Sequence, residues 1–412
     1  MDNVTHTLIS LLVGESAARA TADVRSGLPG ATRRNLMVSL MAVGGNLPDL
    51  DFLYSAVTGD KLDYLLHHRG HTHTVIGALA AAALLLIATD VWLRWKRLTP
   101  TRPDRIVLLA IASAAPLLHI AMDSLNNYGV HPFWPFYDGW LYGDSIFIVE
   151  PLLWAAAAPL GFLLRTRPAR GFVFAVLAAG VALVFFSGLV PAPLAVAFTL
   201  LVGLTLSVGR LTSPRSALTL AIAVWLGVTG MFVTASQTAA ERARTLAAQR
   251  FPEAILDDHV LMPMPVNPVC WEIMLIQSTK DALTLRRGML SLAPRWIAAA
   301  GCPTRSERVA ITAPLQPVQT PDDQEIRWLG ELISSRSQLS ALFAADCRVA
   351  AFLRFARAPW LAFVDRHLVL GDLRYDNEAH LGFAEIDLSA NLVSCPKHVP
   401  PWTPPRRDLL SG

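Results

Sequence analysis

TVIGALAAAALLLIATDVWLRW, residues 74–95, decides the fold. It is apolar almost throughout, with histidines before it and Arg94, Lys96 and Arg97 at its far end. A helix needs about 20 mostly apolar residues to cross the hydrocarbon core of a bilayer, and this run supplies them. Further candidate spans cover residues 106–122, 146–164, 171–190, 194–208 and 217–234. Two weaker segments, 4–20 and 35–47, each contain a polar break. Each reads either as a span or as a half-buried helix. Charged residues make up 16% of the chain, against about 25% in soluble domains. The deficit is local: charges are scarce between Thr74 and Ser236 and frequent from Glu241 onward. The expected fold is an all-α polytopic membrane helical bundle over residues 1–236, with about six to eight helices, followed by a C-terminal α+β soluble domain over 237–412.

Basic residues set the expected orientation. Arg94, Lys96, Arg97, Arg102 and Arg105 lie between the first two strong spans. Arg165, Arg167 and Arg170 lie between the third and fourth, and Arg210 and Arg215 between the fifth and sixth. The alternate loops 124–145 and 191–193 contain neither Lys nor Arg. Basic loops stay in the cytoplasm, so the protein is expected in the cell (inner) membrane with its C-terminal domain extracytoplasmic. If the weak segments cross, Arg25, Arg33 and Arg34 fall on the same inner side. Met1-Asp2-Asn3 gives no basic start to a cleavable signal peptide. The net charge of +3 points to no nucleic-acid partner.

All four cysteines, Cys270, Cys302, Cys347 and Cys395, lie in the C-terminal domain. An even set confined to an exported domain implies up to two disulfides; four buried free thiols is the alternative. In that domain residues 271–279 and 282–290 read as strands joined by Lys280-Asp281. Residues 322–343 read as a helix, and 350–357, 361–368 and 383–388 as strands. The proline-rich tail 395–407 reads as irregular.

The chemistry is concentrated in the N-terminal third. His6, Asp49 and Asp51, His68-Arg69-Gly70-His71-Thr72-His73, then His119 and Asp123, and later Asp144 and Glu150, all lie beside apolar segments. Ionisable groups there are expensive and mark function. His119 and Asp123 are four apart and share one helical face. Pro48 would end or bend a helix just before Asp49 and Asp51. Gly70 lets a turn fold His68 and His73 inward. Mixed imidazole and carboxylate donors suit Zn²⁺, with Mn²⁺ or Fe²⁺ as alternatives, and the number of donors would serve one or two ions. The expected ligands are His6, Asp49, His68, His73, His119 and Asp123. The topology brings His68, His73, His119 and Asp123 to one membrane face, and His6 and Asp49 as well if the two weak segments cross. His67 and His71 read as outer neighbours or surface residues. Arg69 reads equally as a phosphate clamp, an ion-pair partner of Asp63 or a lipid headgroup contact. Phe133, Trp134, Phe136, Tyr137 and Trp140 read as an interfacial aromatic belt more than as a substrate platform.

These segments together resemble the YdjM-type inner-membrane family of metal-dependent hydrolases. The resemblance rests on Thr5-His6-Thr7, Leu47-Pro48-Asp49-Leu50-Asp51, His68 to His73, and His119 with Asp123 and the residues through Gly129. Trp134-Pro135-Phe136 and Ile148 to Leu152 also fit it. Residues 260–271 and 371–375 are similar to the C-terminal part of longer members. The family is similar in ligand pattern to zinc phospholipases C and fungal single-strand nucleases, which hold a metal cluster in a helical bundle and cut phosphoesters. The resemblance implies a metal-dependent hydrolase, phosphoesterase-like, acting on a phosphoester or lipid at the outer face, with membrane lipids as its surroundings. Asp51 or Glu150 would then orient the attacking water, with Arg69 on a non-bridging oxygen. Glu150 stands where an Asp is expected.

Two other classes compete with the enzyme. One is a transporter or proton-coupled carrier that uses the His/Asp cluster as a relay. The other is a metal-stabilised lipid-binding scaffold. Ligands gathered at one membrane end, away from the midplane, favour the enzyme. No Walker loop, His-Glu-x-x-His or Ser-His-Asp pattern is present.

Overall fold

The computed structural model describes residues 1–58, 61–304, 311–389 and 395–409. Its helices are α1 (Asn3–Ala20), α2 (Gly30–Gly44), α3 (Phe52–Thr58), α4 (Lys61–His67), α5 (Val75–Trp95), α6 (Arg102–Asp123), α7 (Pro151–Ala156), α8 (Leu160–Leu163), α9 (Arg167–Phe186), α10 (Ala192–Leu211), α11 (Pro214–Arg250), α12 (Arg336–Ala345) and α13 (Cys347–Phe352). The strands are β1 (Ile255–Met264), β2 (Asn267–Ser278), β3 (Ala282–Ser291), β4 (Ile326–Ser335), β5 (Pro359–Val364), β6 (His367–Asp372) and β7 (Glu385–Asp387).

The chain divides into two compact units. A helical unit comprises 1–50, 71–134 and 146–232, and a sheet unit comprises 51–70, 135–145 and 233–412. The sheet unit therefore includes two stretches that lie in sequence among the membrane helices.

Five helices among the described residues are long and apolar enough to cross a membrane: α5, α6, α9, α10 and α11. α5 leaves Ile76, Leu79, Leu84, Ile87 and Val91 exposed and buries Ala78, Ala82, Thr89 and Leu93. Large apolar side chains facing outward on a long helix fit lipid, where intrahelical hydrogen bonds satisfy the backbone. α2 and the segment Pro48–Tyr54 together pass the same test, bent by 44° at the break between them. α1 runs the full weak segment and buries His6, Ser10 and Glu15 on its inner stripe. The core of the unit packs Met37 and Met41 of α2 with Ala18 of α1, Leu93 of α5, and Leu108, Ile111 and Ala115 of α6.

The stretch 146–164, expected as one span, is two short helices after an extended lead-in. Pro151 can start α7 but not continue a helix through it, and Pro159 separates α7 from α8. Its apolar residues, Leu153 to Ala158 among them, are buried inside the bundle.

The sheet unit holds an antiparallel four-stranded sheet in the order β1-β2-β3-β4 and a three-stranded sheet β5-β6-β7. The expected strands at 271–279 and 282–290 are β2 and β3. β1 was missed, and the expected helix at 322–343 is β4 followed by α12. Burial in β4 alternates over Ile326, Trp328, Gly330, Leu332 and Ser334, a period of two. Residues 350–357, expected as a strand, begin inside α13, which Asp346 caps by accepting from Arg348 N. The single strand expected at 361–368 is the β5–β6 hairpin. Its turn residues Asp365 and Arg366 both take positive φ, as a type I′ turn requires. Two disulfides form, Cys270–Cys302 and Cys347–Cys395.

Arg357 ties the sheet unit together. Its guanidinium donates to both oxygens of Asp144 at 2.9 Å and, through Nε, to Asp258 Oδ2 at 2.7 Å. Its backbone N–H donates to Asp372 Oδ2 at 2.9 Å, and Tyr142 lies against the guanidinium at 4.1 Å. Arg357 is buried, so removing it strands two carboxylates. Arg357→Met is expected to destabilise the sheet unit by about 3–5 kcal/mol, read from the thermal unfolding of the purified protein. Adding Asp144→Asn should recover part of the loss.

A second group makes the unit pH-dependent. Burial, with Asp376 nearby, pushes the Glu385 carboxyl up from 4.5 to about 7. The folded group keeps its proton to about pH 7, whereas the unfolded group releases it near 4.5. Its stabilising contribution is complete below pH 4.5 and is lost as pH rises through about 7. Unfolding midpoints should therefore fall across that window. Glu385→Gln should flatten this part of the profile; an unchanged slope would assign it to other groups.

Candidate metal centre

Three elements of the helical unit deliver donors to the same point, and α1 brings His6 beside them. Asp49 stands in the single turn Pro48–Asp51, just after α2 ends. His73 closes the turn His71–His73, and Thr74 then caps α5 by accepting from Gly77 N. His119 and Asp123 lie on the last turn of α6, four residues apart as a shared face requires. His6 is in the first turns of α1.

The distances form a tight set. His73 Nε2 and His119 Nε2 are 3.1 Å apart. His73 Nε2 is 3.4 Å from Asp49 Oδ1 and 3.2 Å from Asp123 Oδ2. His119 Nε2 is 3.4 Å from each of the same two oxygens. All four donor atoms lie within 4.8 Å of one another, and all four residues are buried. Four donors around a tetrahedral ion, with bonds of about 2.0–2.1 Å, stand about 3.3–3.4 Å apart. The separations of 3.1–3.4 Å in this set match that value. Ionised carboxylates in such surroundings persist only when neutralised. The donor set, two imidazoles and two carboxylates, thus fits a divalent transition metal.

The outer partners fit as well. His119 Nδ1–H donates to the carbonyl of Gly45 at 2.8 Å, which turns its Nε2 lone pair toward the other donors. His73 Nδ1 is 3.0 Å from Thr72 Oγ1. The His6 ring stacks on His119 with centroids 3.8 Å apart, and its Nε2 is 3.1 Å from Asp123 Oδ1. Asp123 thus turns one oxygen toward His73 and His119 and the other toward His6. The Met1 amine also lies against Asp123 Oδ1.

The remaining expected residues are placed as follows. His68 and Asp51, both in the sheet unit, pair through Nδ1 and Oδ1 at 2.9 Å, and Arg69 N donates to Asp51 Oδ2 at 2.8 Å. Arg69 is buried with φ 58°. Glu150 is buried and caps α7 by accepting from Leu152 N at 3.0 Å. Asp144 serves Arg357. His67 Nε2 contacts the His398 carbonyl at 3.1 Å, and His71 meets Trp134 edge-on. Phe136 is almost fully exposed, while Trp140 donates to the Arg354 carbonyl.

Gly45 escaped the sequence reading because it contributes a carbonyl, which every residue has. Its own hydrogen is the signal. A Cβ there would fall 2.0 Å from Ser10 Oγ and 2.9 Å from the Met41 carbonyl. Gly45→Ala should shift that carbonyl and lower metal content about tenfold or more while the protein stays folded. Elemental analysis of the purified variant, beside His119→Asn as the ligand-loss reference, reads the effect.

The family model described as YdjM inner membrane protein matches residues 1–194. No curated protein and no solved structure matches the chain. The match contains the four donor residues and His6. Together with the apolar helices it makes this a membrane protein whose N-terminal part, residues 1–194, matches the YdjM inner membrane protein family.

Proposed function

We propose that the protein is a membrane-bound metal-dependent hydrolase that cleaves a phosphoester, of a lipid or at the lipid surface, on the outer face of the membrane. The observation that carries this reading is the buried set Asp49, His73, His119 and Asp123, whose donor atoms have the mutual spacing of a metal's ligands. Zinc is the favoured ion, on the donor chemistry. A divalent ion held by these residues supplies Lewis acidity and makes water acidic enough to ionise near neutral pH.

The chain's own residues supply position and proton handling. Gly45 fixes the tautomer of His119, and Asp123 is steered by His6. Asp51 accepts from His68 Nδ1–H at 2.9 Å, which orients its carboxylate. Asp51 keeps the water-orienting role expected of it. Arg69 is assigned to a non-bridging oxygen of the substrate. Glu150, tied to the start of α7, is the weaker candidate for contact with water.

The orientation follows the basic residues. The His/Asp cluster closes α6 at the end away from Arg102 and Arg105, and the two disulfides suit an oxidising compartment. The sheet unit is therefore assigned to the extracytoplasmic side. A fusion at the C-terminus to a reporter active only in the cytoplasm should be silent.

The activity test uses the full chain in detergent with phosphomonoester, phosphodiester and phospholipid substrates. Turnover should vanish with chelator and return with zinc. Asp51→Asn should lower kcat about a hundredfold or more with metal content retained. If metal-loaded protein turns over none of these, while ion flux in liposomes needs His119 and Asp123, the carrier reading replaces this one.

A further inference from the structure

At the opposite end of the helical unit, five arginines converge on one cavity. His6 lies in the first turns of α1 and Arg19 in its last, about 20 Å apart at 1.5 Å per residue. There a cavity of about 410 Å³ is lined by Arg19, Arg33, Arg34, Arg165 and Arg170, with Gly30 at its edge. We propose that it is a binding site for a phosphate-bearing anion, the headgroup of an acidic phospholipid or a free phosphate. It is independent of the metal centre and of the activity assigned to it.

The charges do not balance within the protein. Arg19 Nε and Arg34 Nη2 share one carboxylate, Glu15, at 2.8 and 2.6 Å. Arg33 Nε pairs with Asp104 at 3.1 Å. Arg170 Nε donates to a carbonyl, that of Leu164. Five guanidinium groups thus face two carboxylates. Arg33 is 5% exposed, yet its Nη2 is buried without a hydrogen-bond partner. A buried guanidinium nitrogen left so is costly unless a ligand meets it.

The backbone adds to the field. α2 starts at this cavity, and its N-cap residue, Pro29, provides no side-chain hydrogen bond. The first N–H groups of a helix point outward and favour an anion, all the more without a cap. A Cβ on Gly30 would meet nothing within 4 Å, so the helix opens into free space there. Arginine forks match phosphate oxygens bidentately, and basic pockets between membrane helices suit acidic headgroups. Loops that only obeyed the basic-inside tendency would scatter these side chains; here four segments aim them into one cavity.

The test uses the full chain, purified in a neutral detergent and stripped of lipid. Its unfolding midpoint is followed against phosphatidylglycerol, phosphatidylcholine and inorganic phosphate. Phosphatidylglycerol should raise the midpoint and phosphatidylcholine should not. Protection by inorganic phosphate at similar concentrations would assign the site to a soluble anion; protection by phosphatidylglycerol alone would assign it to lipid. Two variants should each need about tenfold more ligand. Arg165→Gln with Arg170→Gln alters exposed side chains. Gly30→Asp places a carboxylate in the cavity at a helix start, where an acid favours the helix. His119→Asn should bind as the native protein does. The proposal is overturned if both cavity variants bind normally, if phosphatidylcholine protects equally, or if His119→Asn abolishes binding.

Discussion

Two carboxylates, Asp49 and Asp123, sit in the interior of the helical unit with the Nε2 atoms of His73 and His119 between them. Bringing such groups out of water is tolerable only when opposite charge and hydrogen bonds meet every one of them. That demand explains the irregular parts of an otherwise regular bundle. α2 stops at Gly44 so that a carbonyl, free of its own helix, can hold His119. The chain then bends by 44° and presents Asp49. The loop before α5 makes a single turn to bring in His73. A straight span through residues 45–47 would lack the first two of these features.

The sequence disclosed most of this site because its parts are chemically conspicuous. Histidine and aspartate beside apolar runs stand out, and the four-residue step from His119 to Asp123 needs only helical geometry. His68 and His73 flank the same turn, and each has the carboxylate neighbours that a metal ligand needs, His68 beside Asp51 and His73 beside Asp49 and Asp123. Asp51, two residues past Asp49, meets His68. Glu150 read as a site residue, but a carboxylate before Pro151 is also what a helix start calls for.

In the sheet unit the failures share a cause. β4 carries Trp328, Leu332 and Ser334 at a spacing that a helix pattern can mimic over a short window, and only the partner strand β3 selects the extended form. β1 contains Asp257, Asp258 and His259, which disguise a strand, yet Asp258 is drawn inward by Arg357. Pairings between residues far apart in sequence decided these elements, and local composition does not carry that information.

The ion pair of Arg357 with Asp144 joins residues 213 positions apart. At a synthesis rate of about 5–20 residues per second, Asp144 leaves the ribosome about 10–40 s before its partner. Throughout that interval Asp144 lacks the guanidinium that it meets in the folded protein. The helices can insert one after another, but this loop reaches its final state only when the last third of the chain has been made. A chain truncated before Arg357 would have its membrane helices and still lack the partner of Asp144.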